Sequence, residues 1–225
     1  MSWPRDARRG PLIALACVLL TCAIAGRIWV VNSHAIRMPV EHHSLNEAVD
    51  LGGAFSEYVY EHTDGYAITV SQARRMSVNE YLDAYAAERQ QVQERFEDPD
   101  DKTDLDAPTL LVLDIEIRND KAEDAERGYL DSIGWNVKSA TRPELWIRAE
   151  SALLDSSIPQ ADGAFQLSIK PGTTFTVHVP FSPGSEPLPF PASDAEHAMP
   201  TLDAGSYSFV VTKAPVRKVV DFSVS

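Results

Sequence analysis

Hydrophobic and polar residues alternate with a period of two in seven short segments of the chain after residue 43. In such a segment every second side chain faces the same side of a strand, which predicts strands that are buried on one face. The alternating segments are 66–71, 111–118, 133–138, 165–170, 174–181, 207–212 and 220–224. Many short strands of this kind predict a mainly β fold, an antiparallel β-sandwich of immunoglobulin-like architecture.

A turn is predicted between two of these strands. In Lys170-Pro171-Gly172-Thr173, proline fixes the second turn position and glycine accepts a positive φ at the third, as a type II turn requires. The turn predicts that residues 165–181 form a β-hairpin.

One segment departs from the alternating pattern. Ser77 and Glu80 have the spacing of a capping box, and apolar residues then recur at helical intervals. The pattern predicts a helix over about 78–95 that ends before Asp98-Pro99. A proline-rich loop runs from residue 182 to about 204, and its exposed apolar residues Leu188 and Phe190 are a candidate interaction site.

The N-terminal segment has the features of a membrane anchor. Residues 11–31 are almost entirely uncharged, and at 1.5 Å per residue they span about 31 Å, enough for a bilayer core of about 30 Å. Arg27 and Trp29 near its far end suit the membrane interface. Arginines before the segment predict a cytoplasmic N-terminus at 1–10, a stalk at 32–43 and an extracytoplasmic domain at 44–225.

Two other interpretations of this segment stay open. Ala23-Ile24-Ala25 fits a signal-peptidase site, and cleavage after Ala25 would release the body as a secreted protein. A lipoprotein signal at Cys17 or Cys22 fits less well, because the residues before each cysteine depart from the usual pattern. All three interpretations place the body outside the cytoplasm.

Charge and cysteine usage exclude several classes of function. The chain has a net charge of −13, and a net charge of +3 within residues 1–27 leaves −16 for the remainder. Such an acidic body repels nucleic acid, so no nucleic-acid partner is expected. Both cysteines lie in the apolar N-terminal segment, and the body therefore has no disulfide, cysteine-ligated zinc or cysteine nucleophile.

Sequence motifs for catalysis and cofactor binding are missing from the chain. It has no GxSxG, HExxH, P-loop or GxGxxG pattern, so we name no catalytic, cofactor-binding or metal-ligating residue and do not expect an enzyme. The adjacent His42 and His43 would point to opposite faces of a strand, and His178 lies on the polar face of its strand as a solvated residue. The acidic segment 97–106 does not match an EF-hand loop.

A resemblance rests on four ordered segments: EAVDLGGAF (47–55), residues 61–86, LLVLDIEIRND (110–120) and IKPGTTFTVHVPF (169–181). They resemble an uncharacterised family of membrane-anchored extracytoplasmic proteins of Gram-positive bacteria, and more widely the immunoglobulin-like sandwich domains of bacteria. The resemblance implies a single N-terminal span and an unknown function. It supplies no catalytic residues.

These observations favour a membrane-anchored extracytoplasmic module that binds envelope proteins or cell-wall components. Two alternatives stay open. One is an extracytoplasmic hydrolase that uses a pair of carboxylates, and the other is a surface protein stabilised by calcium. No cofactor is expected.

Overall fold

A computed structural model of the protein describes residues 9–33, 38–86, 103–157, 166–184 and 198–225. The chain divides into two compact units, residues 1–37 and residues 38–225. The first unit contains helix α1 (Arg9–Ser33). Across the described ranges, no helix reaches the length and apolar character needed to cross a membrane.

The second unit is mainly β, as predicted. Its strands are β1 (Val40–Ser44), β2 (Ala48–Asp50), β3 (Tyr66–Met76), β4 (Leu110–Asn119), β5 (Leu130–Asp131), β6 (Asn136–Ser139), β7 (Ile147–Ala149), β8 (Gln166–Leu167), β9 (Thr173–Ser182), β10 (Gly205–Val210) and β11 (Arg217–Val224). In the described part of this unit, two helices accompany them, α2 (Val78–Tyr85) and α3 (Ser151–Ser157). β1 begins within the segment 32–43 that was predicted to be a stalk.

Nine strands form one continuous sheet in the order β1-β11-β10-β6-β7-β9-β4-β3-β2, and β5 pairs with β8 in a small second sheet. All pairs are antiparallel except β1 with β11. The large sheet is nearly closed. Phe55, which follows β2, forms a bridge with Ala214 before β11, and Lys218 of β11 donates to the carbonyl of Asp50 in β2. The immunoglobulin-like sandwich is therefore not confirmed.

The core lies on the concave side of the curled sheet. It is built from the alternate residues that the sequence pattern selected, including Val177, Val179 and Phe181 on β9 and Leu113 and Ile115 on β4. Its centre also holds an edge-to-face aromatic row, in which the rings of Trp135 and Phe209 are 5.4 Å apart and those of Phe181 and Phe209 are 5.5 Å apart.

The predicted turn at 170–173 is present, but the predicted hairpin is wrong. Gly172 has a φ of +71°, and the Thr173 N–H donates to the Lys170 carbonyl at 3.2 Å. The strand before this turn, β8, pairs with β5, while β9 lies between β4 and β7. Both edges of β9 are thus occupied by longer or more deeply buried strands.

The predicted strand at 133–138 begins later than expected. The side chain of Asp131 accepts from the Ile133 N–H at 2.9 Å, and the Ser132 carbonyl accepts from the Trp135 N–H at 3.0 Å. These bonds make a turn that leaves Ile133 45% exposed. Trp135 and Val137 are buried, as predicted.

The predicted capping box is confirmed. The Glu80 N–H donates to the Ser77 hydroxyl at 3.1 Å, and the Ser77 N–H donates to the Glu80 carboxylate at 2.8 Å. The predicted extent of this helix is wrong, because α2 ends at Tyr85 and Ala86 has extended backbone. The remainder of the predicted helix lies outside the described residues. Helix α3 was not predicted.

Candidate functional site

A groove beside β6 and β7 of the large sheet is the candidate functional site. We call it the Trp146 groove. Its volume is about 300 Å³, and it lies between the β6–β7 connection and the β10–β11 connection. Its lining has an apolar part and a polar part. The apolar lining consists of Val137, Pro143, Leu145, Trp146, Ile147 and Val210, and the polar lining consists of Asn136, Lys138, Lys213 and Arg217.

Trp146 lies at the surface, directly before β7. Leu145 packs against the core and Ile147 is fully buried, so the residue between them faces solvent. The indole is 64% exposed. The connection before it is held by a bond from the Leu145 N–H to the Arg142 carbonyl at 3.1 Å. This hydrogen bond holds the backbone next to the exposed Trp146 indole, which we call the platform.

Three basic side chains line the groove. β6 and β7 pair Val137 with Ile147, and continuing this register by one residue puts Lys138 beside Trp146. Lys213 is held by its backbone N–H, which donates to the Phe55 carbonyl at 2.8 Å. Arg217 begins β11 and is half-buried. The groove is thus a positively charged region of an acidic domain.

Only one of these cations has an acidic partner within the described part of the chain. The Lys213 ammonium pairs with the Glu57 carboxylate at 2.6 Å. Neither Lys138 nor Arg217 makes a side-chain ion pair with a described residue. The Arg217 Nε is buried and has no hydrogen-bond partner there. Two positive charges in the groove therefore have no acidic partner among the described residues.

A loop beside the groove is organised by one buried carboxylate. Oε1 of Glu61 accepts from the backbone N–H groups of Ser56, Glu57 and Tyr58 at 3.1, 2.7 and 2.9 Å, and Oε2 accepts from the Asp131 N–H at 3.1 Å. These hydrogen bonds hold the backbone of Glu57 in a position from which its side chain reaches Lys213. The loop also presents an exposed apolar tip, composed of Tyr58, Val59 and Tyr60.

A second polar cluster lies on the outer face of β3, β4 and β9. Arg74 contacts Asp114 through two nitrogens at 2.7 and 2.9 Å, and the His178 Nδ1 lies 2.6 Å from the same carboxylate. The Tyr85 ring stacks on the His178 ring with centroids 4.3 Å apart, and the Tyr85 hydroxyl contacts Arg74. The interpretation of His178 as a simple solvated residue is therefore wrong.

Contacts within this cluster favour the ionised forms of Asp114 and Arg74. Burial opposes ionisation of Asp114, but hydrogen bonds from Arg74 and His178 outweigh burial and lower the pKa of its carboxyl. The hydrogen bonds between Arg74 and Asp114 raise the pKa of the Arg74 guanidinium, although burial opposes this shift. Because the members come from β3, β4, β9 and α2, the cluster acts as a clamp between these elements.

None of the residues predicted as sites is among the residues that line the groove. Leu188 and Phe190 are outside the described residues. Arg27 and Trp29 lie on α1, where the Trp29 side chain is 72% exposed.

The two adjacent histidines lie on the edge strand β1. His42 contacts Asp221 at 2.7 Å, and His43 contacts Glu47 at 2.7 Å. Within the ranges given above, no group of three or more histidine, cysteine or acidic residues is arranged to hold a metal ion.

Sequence reasoning missed the Trp146 groove. Its lining comes from segments that are distant in the sequence, so no local sequence motif predicts the groove. One signal was available, namely a tryptophan between two apolar residues, Leu145 and Ile147, where alternation of buried side chains places it on the solvent side.

Comparison with known proteins identifies the family but no individual relative. No curated protein and no solved structure matches the chain. A family model described as a domain of unknown function, DUF5028, matches residues 40–218, which is most of the chain and contains the whole groove. The chain belongs to the DUF5028 family.

Proposed function

We propose that the protein is an extracytoplasmic binding module held at the cell membrane by one N-terminal helix, and that the Trp146 groove is its binding site. The groove carries this proposal. It combines concave shape, an exposed aromatic platform and a few convergent polar groups, which is the usual composition of small-ligand sites.

The chemistry of the lining supports binding rather than bond cleavage. The described residues that line the groove supply aliphatic and aromatic side chains, an amide and three cations, and none of them carries a carboxylate, imidazole, hydroxyl or thiol. These groups hold a ligand by stacking, hydrogen bonding and charge. They do not form a nucleophile and base pair of the usual kind.

The membrane attachment is proposed from the sequence. The apolar segment 11–31 follows Arg5, Arg8 and Arg9, and this arrangement favours a cytoplasmic N-terminus. Residues 1–27 hold four of the 20 Lys and Arg and one of the 33 acidic residues, which leaves 16 against 32 in the remainder. This net negative charge opposes binding of the body to anionic lipid without an anchor.

The topology is tested in intact cells of the source organism. An external protease is expected to degrade the body, and the mature protein is expected to have the mass of the full chain in the membrane fraction. A mass that begins at Gly26 in the medium would replace the anchor with a cleaved leader. Protection from the protease until the cells are lysed would place the body inside.

Binding is tested with isolated cell envelopes from which lipid has been extracted with detergent, so that the apolar segment 11–31 cannot retain the protein by inserting into a bilayer. We expect the purified full-length protein to be retained by envelopes and Trp146→Ala to lose that retention. Tyr60→Ala is the matched control, because it truncates another exposed aromatic side chain, 53% exposed, on a different loop. Equal retention of wild type and Trp146→Ala would refute the groove as the binding site.

A further inference from the structure

We propose that the Trp146 groove binds an anionic saccharide, with a sugar ring against the Trp146 indole and a carboxylate or phosphate against Arg217 and Lys138. This inference rests on the proposed function and adds the class of ligand. It follows from the exposed Trp146 indole, from the charges of Lys138 and Arg217, and from the size of the groove.

The platform favours a ring that is apolar on its face and polar at its rim. The indole is 64% exposed and stands beside polar groups, including Asn136 and Lys138. The C–H groups on the face of a sugar ring meet the negative face of an aromatic ring favourably, while the hydroxyls of the sugar reach the polar groups around it. A purely apolar ligand would leave these polar groups without partners.

The charges favour an anion. Lys138 and Arg217 have no ion-pair partner among the described residues, and the planar guanidinium of Arg217 suits carboxylate and phosphate oxygens. The nearby acids are already engaged, because Glu57 pairs with Lys213 at 2.6 Å and Glu144 lies 3.6 Å from Arg142. A positive groove in a domain of charge −16 attracts the anion locally and leaves the rest of the surface repulsive to it.

The size of the groove favours a short ligand. Its volume of about 300 Å³ lies at the lower end of small-molecule sites, which span roughly 300–1,000 Å³. The groove is formed between two strand connections whose backbones are hydrogen-bonded to the sheet. One or two sugar rings fit such a site, and a folded protein partner would need a larger surface.

The test measures binding of defined probes to the full-length protein in detergent micelles by calorimetry. The probes are a disaccharide that contains a uronic acid, its neutral glucose counterpart, glucose 6-phosphate, inorganic phosphate and benzoate. We expect an anionic sugar to bind at least about tenfold more tightly than the neutral disaccharide, and added salt to weaken its binding. The uronate and the sugar phosphate separate the two sources of negative charge.

Variants assign the binding to the groove. Trp146→Ala, Lys138→Gln and Arg217→Gln are each expected to weaken binding of the anionic sugar, by about tenfold for the tryptophan. Lys170→Gln removes the same charge from an exposed turn on another part of the domain and is expected to change nothing. Because Lys138 is exposed, its variant keeps the fold even if the Arg217 variant does not.

Three outcomes would overturn the inference. One is equal affinity for the neutral disaccharide, and another is equal affinity for benzoate or inorganic phosphate, which would make the sugar ring irrelevant. The third is the absence of binding to every probe while envelopes still retain the wild type and not Trp146→Ala. That third outcome would leave the proposed function standing, whereas retention that does not depend on Trp146 would refute the proposed function itself.

Discussion

Glu61→Gln tests whether one buried carboxylate organises the loop beside the groove. Glu61 is 6% exposed and accepts four backbone hydrogen bonds. The substitution keeps the shape of the side chain but replaces one oxygen with an NH₂ group. If the remaining oxygen continues to serve Ser56, Glu57 and Tyr58, the new NH₂ faces the N–H of Asp131, and two donors then oppose each other.

The cost can be worked out from these contacts. Losing a hydrogen bond to a charged acceptor costs about 1.5–3 kcal/mol, and the other three bonds weaken because the acceptor becomes neutral. One effect opposes the loss. Burial and then the nearby Glu61 charge raise the pKa of Asp131, so removing that charge relieves repulsion. We expect a net loss of about 2–3 kcal/mol in the free energy of unfolding, or about 4–12 °C in Tm.

The assay is urea unfolding of the full-length chain in detergent, followed by circular dichroism. The matched control is Glu57→Gln, which makes the same chemical change four residues away in a partly exposed ion pair with Lys213. Such pairs contribute about 0–1 kcal/mol. An NMR titration should also show that the pKa of Asp131 moves down toward its usual range in the Glu61 variant.

The result that would refute this reasoning is a loss below about 1 kcal/mol, or a loss equal to that of the control variant. The four hydrogen bonds would then contribute no more than a surface ion pair. An unchanged pKa of Asp131 would show that the two carboxylates are not electrostatically coupled.

Three further predictions follow from burial and charge. Because the pKa of Asp114 is lowered in the folded state, the stability that its carboxylate contributes is present above about pH 4 and is lost as the pH falls through the folded pKa. Asp114→Asn should cost about 1–2 kcal/mol in the free energy of unfolding at pH 7 and make stability fall less steeply at acid pH. An unchanged fall at acid pH would contradict the clamp. Ser77→Ala removes the N-cap of α2 and should cost about 1 kcal/mol in thermal unfolding, whereas the exposed Ser206→Ala should cost almost nothing. Trp135→Ala, at a site 1% exposed, should cost about 3–5 kcal/mol in urea unfolding, and Trp146→Ala less than about 0.5; similar losses would contradict the assignment of one indole to the core and the other to the surface.

Much of the strand content was predictable because burial on one face leaves a period of two in the sequence. Ile115 and Ile117 on β4 and Val177 on β9 are buried at alternate positions that the pattern selected. The pattern fails at Phe175, which is 36% exposed, and at Val112, which is buried in a second cluster with residues of α2. The partners of the strands were not predictable in the same way. The turn at 170–173 forms as its residues require, yet β8 pairs with β5, since a turn specifies the direction of the chain and not the neighbour of each strand.

The capping box shows a second limit of local information. Ser77 and Glu80 bond each other's backbone within one helical turn, so sequence spacing was sufficient to predict where α2 begins. The end of α2 depends on what its last turn contacts. Tyr85 lies against His178 and Arg74, which come from two different strands, and the next residue already has extended backbone.

The sequence alone determined the class of fold, the start of α2, the turn at Gly172 and the acidic character of the body. Each of these depends on residues close together in the chain or on composition. Only the tertiary structure decided the order of the nine strands and the positions of Lys138, Trp146 and Arg217 in one groove. The physical reason is that Lys138 lies on β6, Trp146 in the connection before β7 and Arg217 on β11, and the strand pairing that brings them together is set by packing of the whole core.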